Sequence, residues 1–222
     1  MFAVIFEVNP KPEQWDTYLG YARALRPELE RIDGFLDNER FSSMRRPGWL
    51  LSLSTWRDEK AVIRWRIFAR HHEIQERGRS EVFRDYHLRV GEIIADNQLP
   101  AGQMLPRHRF DETEIGAPKL VTIGEVAGHG LTTVDLAAAL GLPNTGTDGV
   151  VDRETFAGIN DPEKLLLLAS WTDAPSAHSW RRAERYPGLR HRAVRIIRDY
   201  GMRDRREAPQ YHPPVASEAG FG

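Results

Sequence analysis

Ser52-Leu53-Ser54-Thr55-Trp56-Arg57-Asp58-Glu59-Lys60-Ala61-Val62-Ile63-Arg64-Trp65-Arg66 has a counterpart later in the chain. That counterpart is Leu167-Leu168-Ala169-Ser170-Trp171-Thr172-Asp173-Ala174-Pro175-Ser176-Ala177-His178-Ser179-Trp180-Arg181. Trp56 and Trp65 correspond to Trp171 and Trp180, with the same spacing and an offset of 115 positions. Ile5-Phe6-Glu7-Val8 and Ile123-Gly124-Glu125-Val126 repeat at an offset of 118. Three features at a nearly constant offset point to a tandem duplication of a domain of roughly 100 residues.

Working outward from the tryptophans gives the elements of each copy. Residues 2–8 are dense in β-branched and aromatic side chains and stop at Asn9-Pro10, which reads as a strand. Pro12 and Glu13 open a helix whose apolar stripe is Trp15, Tyr18, Ala22, Leu25, Leu29 and Ile32. Pro27 is expected to kink or split it. Residues 35–42 and 49–56 follow as strands, with Asp58 as N-cap of a second helix running to about Arg77. Ala61, Trp65, Phe68 and His72 form the stripe of that helix, and residues 86–95 are the last strand. The order β-α-β-β-α-β is the ferredoxin-like arrangement. Strands at 119–126, 150–158, 164–171 and 189–200, with helices at 133–140 and 174–185, repeat the plan. Gly128-His129-Gly130 reads as a turn. The expected organisation is a first domain at 1–100, a linker at 101–118, a second domain at 119–204 and an extended tail at 205–222.

Composition narrows the function classes. Of 222 residues, 41% are hydrophobic and 28% charged, as in an ordinary globular protein. A formal net charge of −1 provides no broad positive field, so nucleic acid is not an expected partner. The absence of cysteine rules out disulfides and thiolate chemistry. No apolar run approaches the ~18 residues of a membrane helix, and the N-terminus lacks a signal-like pattern. The expectation is a cytoplasmic protein without a membrane partner.

A four-stranded sheet with helices on one face leaves its other face bare, and two such sheets packed face to face bury it. The expected fold is therefore α+β: two ferredoxin-like βαββαβ domains whose antiparallel sheets form a closed or nearly closed barrel. The segment from Ser54 through Trp65 and His72 to Tyr86, with the strand from Phe2 to Glu7, resembles the antibiotic biosynthesis monooxygenase family of the dimeric α+β barrel superfamily. The stretch from Arg190 to Met202 resembles the closing strand of the same group. The resemblance implies a small-molecule monooxygenase that needs no cofactor, neither flavin nor metal, and takes a phenolic or polycyclic aromatic substrate together with dioxygen. Two other readings remain open: a haem-binding or haem-degrading protein, and a non-catalytic metabolite-binding barrel. The linker allows the sheets to pair within one chain or between two, which leaves a homodimer open.

The candidate catalytic residues are His72, Asn38 and Arg40. A neutral His72 imidazole could relay a proton to or from a phenol. The Asn38 amide could orient a carbonyl or bound oxygen, and Arg40 could stabilise an oxyanion. Trp65, Phe68, Trp49 and Tyr86 are the candidate substrate-binding residues, although duplication of Trp65 as Trp180 suits a core position better. His71, one step round the helix, is expected to face solvent. Tyr86 and Arg89 have opposite parity on their strand, so at most one of them enters a pocket. On the closing strand, Arg198 shares parity with Arg192, Val194 and Ile196. His71-His72-Glu73 diverge around a helix, and no other histidine spacing suits a metal, so none is assigned. Haem would draw on Asn9 or Asn38, Trp65 and His72. The first half, with the longer helices, is the expected carrier of the site.

Overall fold

Alternation along each strand sends one row of side chains to each face of the sheet, and here both rows are apolar. On β1 (Phe2–Pro10), Phe2, Val4, Phe6 and Val8 lie on one face, while Ala3 and Ile5 lie on the other. Such a strand needs cover on both sides. The computed structural model, which describes residues 1–127, 136–179 and 187–210, shows how each face is covered. The first half runs β1, α1 (Trp15–Glu30), β2 (Phe35–Ser43), β3 (Leu50–Trp56), α2 (Glu59–Ile67), α3 (Ala69–Arg77) and β4 (Phe83–Asp96). The second runs β5 (Leu120–Ala127), α4 (Leu136–Ala139), β6 (Val150–Gly158), β7 (Lys164–Trp171), α5 (Ala174–Ser179) and β8 (Arg190–Gly201).

All eight strands join one closed antiparallel barrel in the order β1-β3-β2-β6-β7-β5-β8-β4. The two sheets meet as the bare faces demand and are also hydrogen-bonded along both edges. One seam, β4–β8, extends over nine register pairs from His87↔Gly201 to Asp96↔Arg192. The other, β2–β6, has only Phe41↔Gly158, Ser42↔Ala157 and Ser43↔Phe156. Closure leaves no free sheet edge, a common hazard of antiparallel sheets.

The barrel interior is filled. Ile5, Phe41, Leu51, Leu53, Val121, Ile123, Phe156, Leu166, Val194 and Ile196 form one buried cluster. Polar side chains inside the wall are paired: Arg89 donates to Glu7 and to Ser170, and Arg192 donates to Glu125 and to Thr55. Burying such charges is costly unless they are paired, so truncating one partner would harm the fold more than pairing helps it. Residues 97–119 run along β8, with Thr113 N–H donating to the Ile196 carbonyl and Ile196 N–H to the Lys119 carbonyl. Leu105 of this stretch packs against the interior cluster.

Two local outcomes decide the shape of the site. α1 continues through Pro27 to Glu30, although the ring removes a donor. The expected second helix, in contrast, is broken. Asp58 caps α2 as the sequence suggests, its carboxylate accepting from Ala61 N–H at 2.8 Å, but Phe68 is extended (φ −60°, ψ 119°) and α3 starts afresh at Ala69. The continuous apolar stripe expected of a single helix is lost at that residue. The described residues contain no helix long and apolar enough to cross a membrane. Trp180, the 128–130 turn and residues 211–222 of the tail lie outside the described residues.

Candidate active site

The cleft opens on the outer face of the first half's sheet, under α1, α2 and α3. It has a volume of about 780 Å³. Its floor comes from the outward rows of β1, β3 and β4, including Val4, Phe6, Ser52, Ser54, Leu88 and Val90. The serines make the room: at the matching positions of β7 stand Leu167 and Ala169, which pack with Leu120, Leu136, Leu140 and Trp171 in a buried cluster. Small polar side chains on β3 thus leave a hollow where β7 builds a core.

Five of the seven residues expected from the sequence line this cleft: Asn38, Arg40, Trp65, His72 and Tyr86. Asn38 and Arg40 are neighbours on the outward row of β2. The Asn38 amide nitrogen donates to Ser52 Oγ at 3.0 Å and to the Leu53 carbonyl at 3.1 Å. Both amide hydrogens are committed, and Oδ1 remains buried without a hydrogen-bond partner. Asn38 therefore offers a ligand an acceptor, whereas the sequence reading gave it a donor's role. Arg40 supplies the donor: its Nε is buried and unpartnered, and its charge lies close to the Tyr18 phenol. Burial holds that phenol above the ordinary tyrosine range, with Arg40 opposing the rise.

Trp49 and Phe68 are not brought to the cleft. Trp49 sits at the turn before β3, at the barrel end, with the Arg46 guanidinium 4.3 Å above its ring. Phe68 occupies the helix break and stacks on Trp65 with ring centroids 5.9 Å apart. The break also brings His71 to the cleft wall beside His72. Trp65 and His72 would share a face on a continuous helix; with Phe68 extended, it is His71 that stacks on Trp65, at 4.1 Å and 16°. His71 Nδ1 lies 2.8 Å from the Trp65 carbonyl, which can only accept, so the proton is on Nδ1 and Nε2 carries the lone pair. Burial lowers the pKa of His71 to about 4. Far from facing solvent, His71 is a neutral part of the wall. His72 lines the cleft beside Glu76, 3.4 Å from its Nε2.

Sequence parity separates Tyr86 from Arg89 correctly: Tyr86 enters the cleft and Arg89 is buried in the barrel wall with Glu7. Parity fails on β8. The ladder with β4 passes from Val90↔Arg198 to Gly91↔Ile196, so Ile197 is an extra residue. That bulge turns Arg198 and Tyr200 outward into the cleft, while Arg192, Val194 and Ile196 stay inside. No alternation rule applied to the sequence reveals such an insertion.

The electrostatics of the cleft follow. Five arginines line it, Arg40, Arg66, Arg79, Arg198 and Arg205, against the carboxylates of Glu59 and Glu76. Glu59 is already bound by Arg109, and Glu76 lies by His72 and Arg79. Arg40, Arg66 and Arg198 have no ion-pair partner among the described residues. Burial, reinforced by the like charge of Arg198, lowers the Arg66 pKa. Tyr200 is pushed up to about 12 by burial, and burial likewise raises Tyr86. At neutral pH the cleft thus holds neutral phenols and three arginines without an ion-pair partner among the described residues, around a largely apolar floor. Asn9, one member of the haem set, lies outside it beside the Gly48 turn.

Comparison with known proteins bears on this arrangement. The profile of the antibiotic biosynthesis monooxygenase family matches residues 1–77, which carry α1, α2, α3 and most of the cleft floor. A protein of Pyricularia oryzae named "Jasmonate monooxygenase ABM" is 44% identical over 221 residues, spanning 97% of this chain and all of that protein. The chain belongs to the antibiotic biosynthesis monooxygenase family. Together, family and relative support a small-molecule monooxygenase. Among solved structures, a conserved protein from Methanosarcina mazei Go1 is 20% identical, covering 40% of this chain and 88% of that one with a TM-score of 0.38. An anthrone oxidase-like protein is 9% identical across 94% of this chain and 96% of that one, with a TM-score of 0.34. Likenesses this loose add nothing about chemistry.

Proposed function

We propose that the first-half cleft of this family member oxygenates a small molecule with an apolar body and a carboxylate. The observation that carries this reading is the pair of cations Arg66 and Arg198, neither with an ion-pair partner among the described residues, at a cleft whose floor is largely apolar. An anion bound there would relieve their mutual repulsion, and the low local dielectric would strengthen the contact. The name of the 44% identical relative points to the same class, since jasmonate is a carboxylate. The phenolic substrate expected from the sequence has an anionic form too, but nothing in the cleft singles out a planar ring system.

In this reading the chain's own groups do three things. Arg66 and Arg198 hold the carboxylate. Arg40 directs its open Nε to a carbonyl oxygen of the substrate and stabilises negative charge as it develops there. His72 accepts a proton from the carbon next to that carbonyl, and the enolate so formed adds dioxygen to give a hydroperoxide. Loss of water from it leaves a ketone at that carbon, with one oxygen atom in the product, the other in water and no external reductant, while Asn38 Oδ1 accepts a hydrogen bond from the enol or the hydroperoxide. Two barrel halves, descended from one duplicated unit, divide the work: the first keeps the hollow and the second fills it.

Incubating the protein with jasmonic acid under ¹⁸O₂ tests the proposal. The expected result is a product containing one ¹⁸O atom, with a rate reduced about 100-fold or more in His72→Gln. A wild-type protein that neither binds nor turns over jasmonate, decanoate or any other amphipathic carboxylate in a panel contradicts it.

A further inference from the structure

Glu207, near the C-terminus of the described chain, is the hub of an anchor that no catalytic step requires. Its two carboxylate oxygens accept four hydrogen bonds. Oε2 takes the Thr113 hydroxyl at 2.7 Å and Asp199 N–H at 2.6 Å; Oε1 takes Glu114 N–H at 2.7 Å and Ile115 N–H at 3.2 Å. Thr113 is 1% exposed and its Oγ1 also accepts from Gly116 N–H, so the receiving loop is itself fixed. Gly116 lies so close to Asp199 that a Cβ there would come within 2.6 Å of Oδ2. The anchor thereby ties the tail, β8 and the segment between the halves at one point.

The tail also borders the cleft as a strap. Arg205, Ala208, Pro209 and Gln210 all line it. Gly201 N–H donates to the Asp204 carbonyl at 2.8 Å and Ala208 N–H to the Arg205 carbonyl at 2.9 Å, which fold the strap back on β8. Arg205 Nη1 donates to the Tyr86 hydroxyl, and its guanidinium carbon lies 5.9 Å from the centroid of the Tyr200 ring. One nitrogen is used on a neutral phenol; no carboxylate pairs with the others among the described residues.

We infer that Arg205 is a specificity-determining residue, a cation that the C-terminal strap brings over Tyr86 and Tyr200 to read the substrate's anionic group, and that Glu207 is the positioning residue that holds it there. The inference rests on the carboxylate reading of the cleft and names a further residue for it. Arg205→Ala leaves the anchor intact and removes the cation. Glu207→Gln leaves the cation and removes one of the two accepting oxygens, since an amide nitrogen cannot accept from a backbone N–H.

Two measurements test it. In the first, jasmonate and its methyl ester are titrated into wild type, Arg205→Ala and Glu207→Gln by calorimetry. Arg205→Ala is expected to weaken the acid about tenfold or more and leave the ester within about twofold, with Glu207→Gln moving the acid in the same direction. In the second, trypsin is applied to the full chain, since Arg203, Arg205 and Arg206 offer cleavage sites in the strap. Glu207→Gln is expected to accelerate strap cleavage about tenfold, with the barrel left whole. Undiminished binding of the acid by Arg205→Ala overturns the role of Arg205, and equal cleavage of Glu207→Gln and wild type overturns the anchor. A wild type that binds acid and ester alike defeats the carboxylate reading, and with it the role of Arg205, while the trypsin result still decides the anchor.

Discussion

At the residue scale, His71 shows how a side chain's surroundings outweigh its place on a helical wheel. Its imidazole is sandwiched against Trp65 and its Nδ1–H is spent on a carbonyl, so protonation would add a charge where nothing compensates it. With a pKa of about 4 in the fold and an ordinary value near 6.5 in the unfolded chain, the unfolded state binds the extra proton between those limits. Stability is therefore full above about pH 6.5 and falls as pH drops toward 4, by on the order of 2–3 kcal/mol from this group. Chemical denaturation of wild type and His71→Gln at pH 7 and pH 4.5 checks this: the variant is expected to lose less stability on acidification. An unchanged pH dependence would show that His71 is not the buried neutral group described. The identity of the cleft residues was partly legible in the sequence, because Asn38, Arg40 and Tyr86 sit on alternating strands. Arg66 and Tyr18 were missed, the first because it neighbours a tryptophan read as core, the second because it falls within an apolar stripe, and Arg198 was placed on the face of Arg192 because alternation hides the bulge at Ile197.

At the element scale, strand positions were legible because turns and alternation mark them; β6 and β7 match their expected bounds residue for residue. Helix continuity was not. Nothing in Trp65-Arg66-Ile67-Phe68-Ala69 carries a breaker, yet Phe68 is extended between α2 and α3. The bulge at Ile197 is of the same kind, a product of matching two strands in a closed barrel. The approach of α2 to β2 has a sequence cause at Gly34, whose φ is +90° and whose added Cβ would stand 2.7 Å from Ala61 Cβ. Ala61 is fully buried in that contact. Gly34→Ala is expected to cost about 3 kcal/mol, combining left-handed strain with overpacking. Gly48→Ala, at φ +80° with its nearest new contact at 3.5 Å, is expected to cost only about 1 kcal/mol. Urea midpoints of the two variants measure the difference; equal losses would mean that the Gly34–Ala61 contact does not constrain α2.

At the scale of the whole molecule, the barrel is held by unequal seams. Nine register pairs join β4 to β8 and three join β2 to β6. The shorter seam is the expected place of first opening, so backbone amides of β2 and β6 should exchange with solvent faster than those of β4 and β8 under native conditions. Hydrogen-exchange mass spectrometry resolves these strands, and slower exchange at the β2–β6 seam would reverse the order. The repeated tryptophans made the architecture readable because each half must bury the same two sheet faces. Which half keeps a hollow was written less plainly, in Ser52 and Ser54 against Leu167 and Ala169. Those four side chains turn a shared scaffold into a cleft on one side and a core on the other. Most direct for the central claim is a crystal structure of the protein soaked with jasmonate. Its carboxylate is expected within hydrogen-bonding distance of Arg66 or Arg198, and its apolar body over Ser52 and Ser54. Density for the ligand elsewhere, with the first-half cleft empty at saturating concentration, would contradict the assignment of the site.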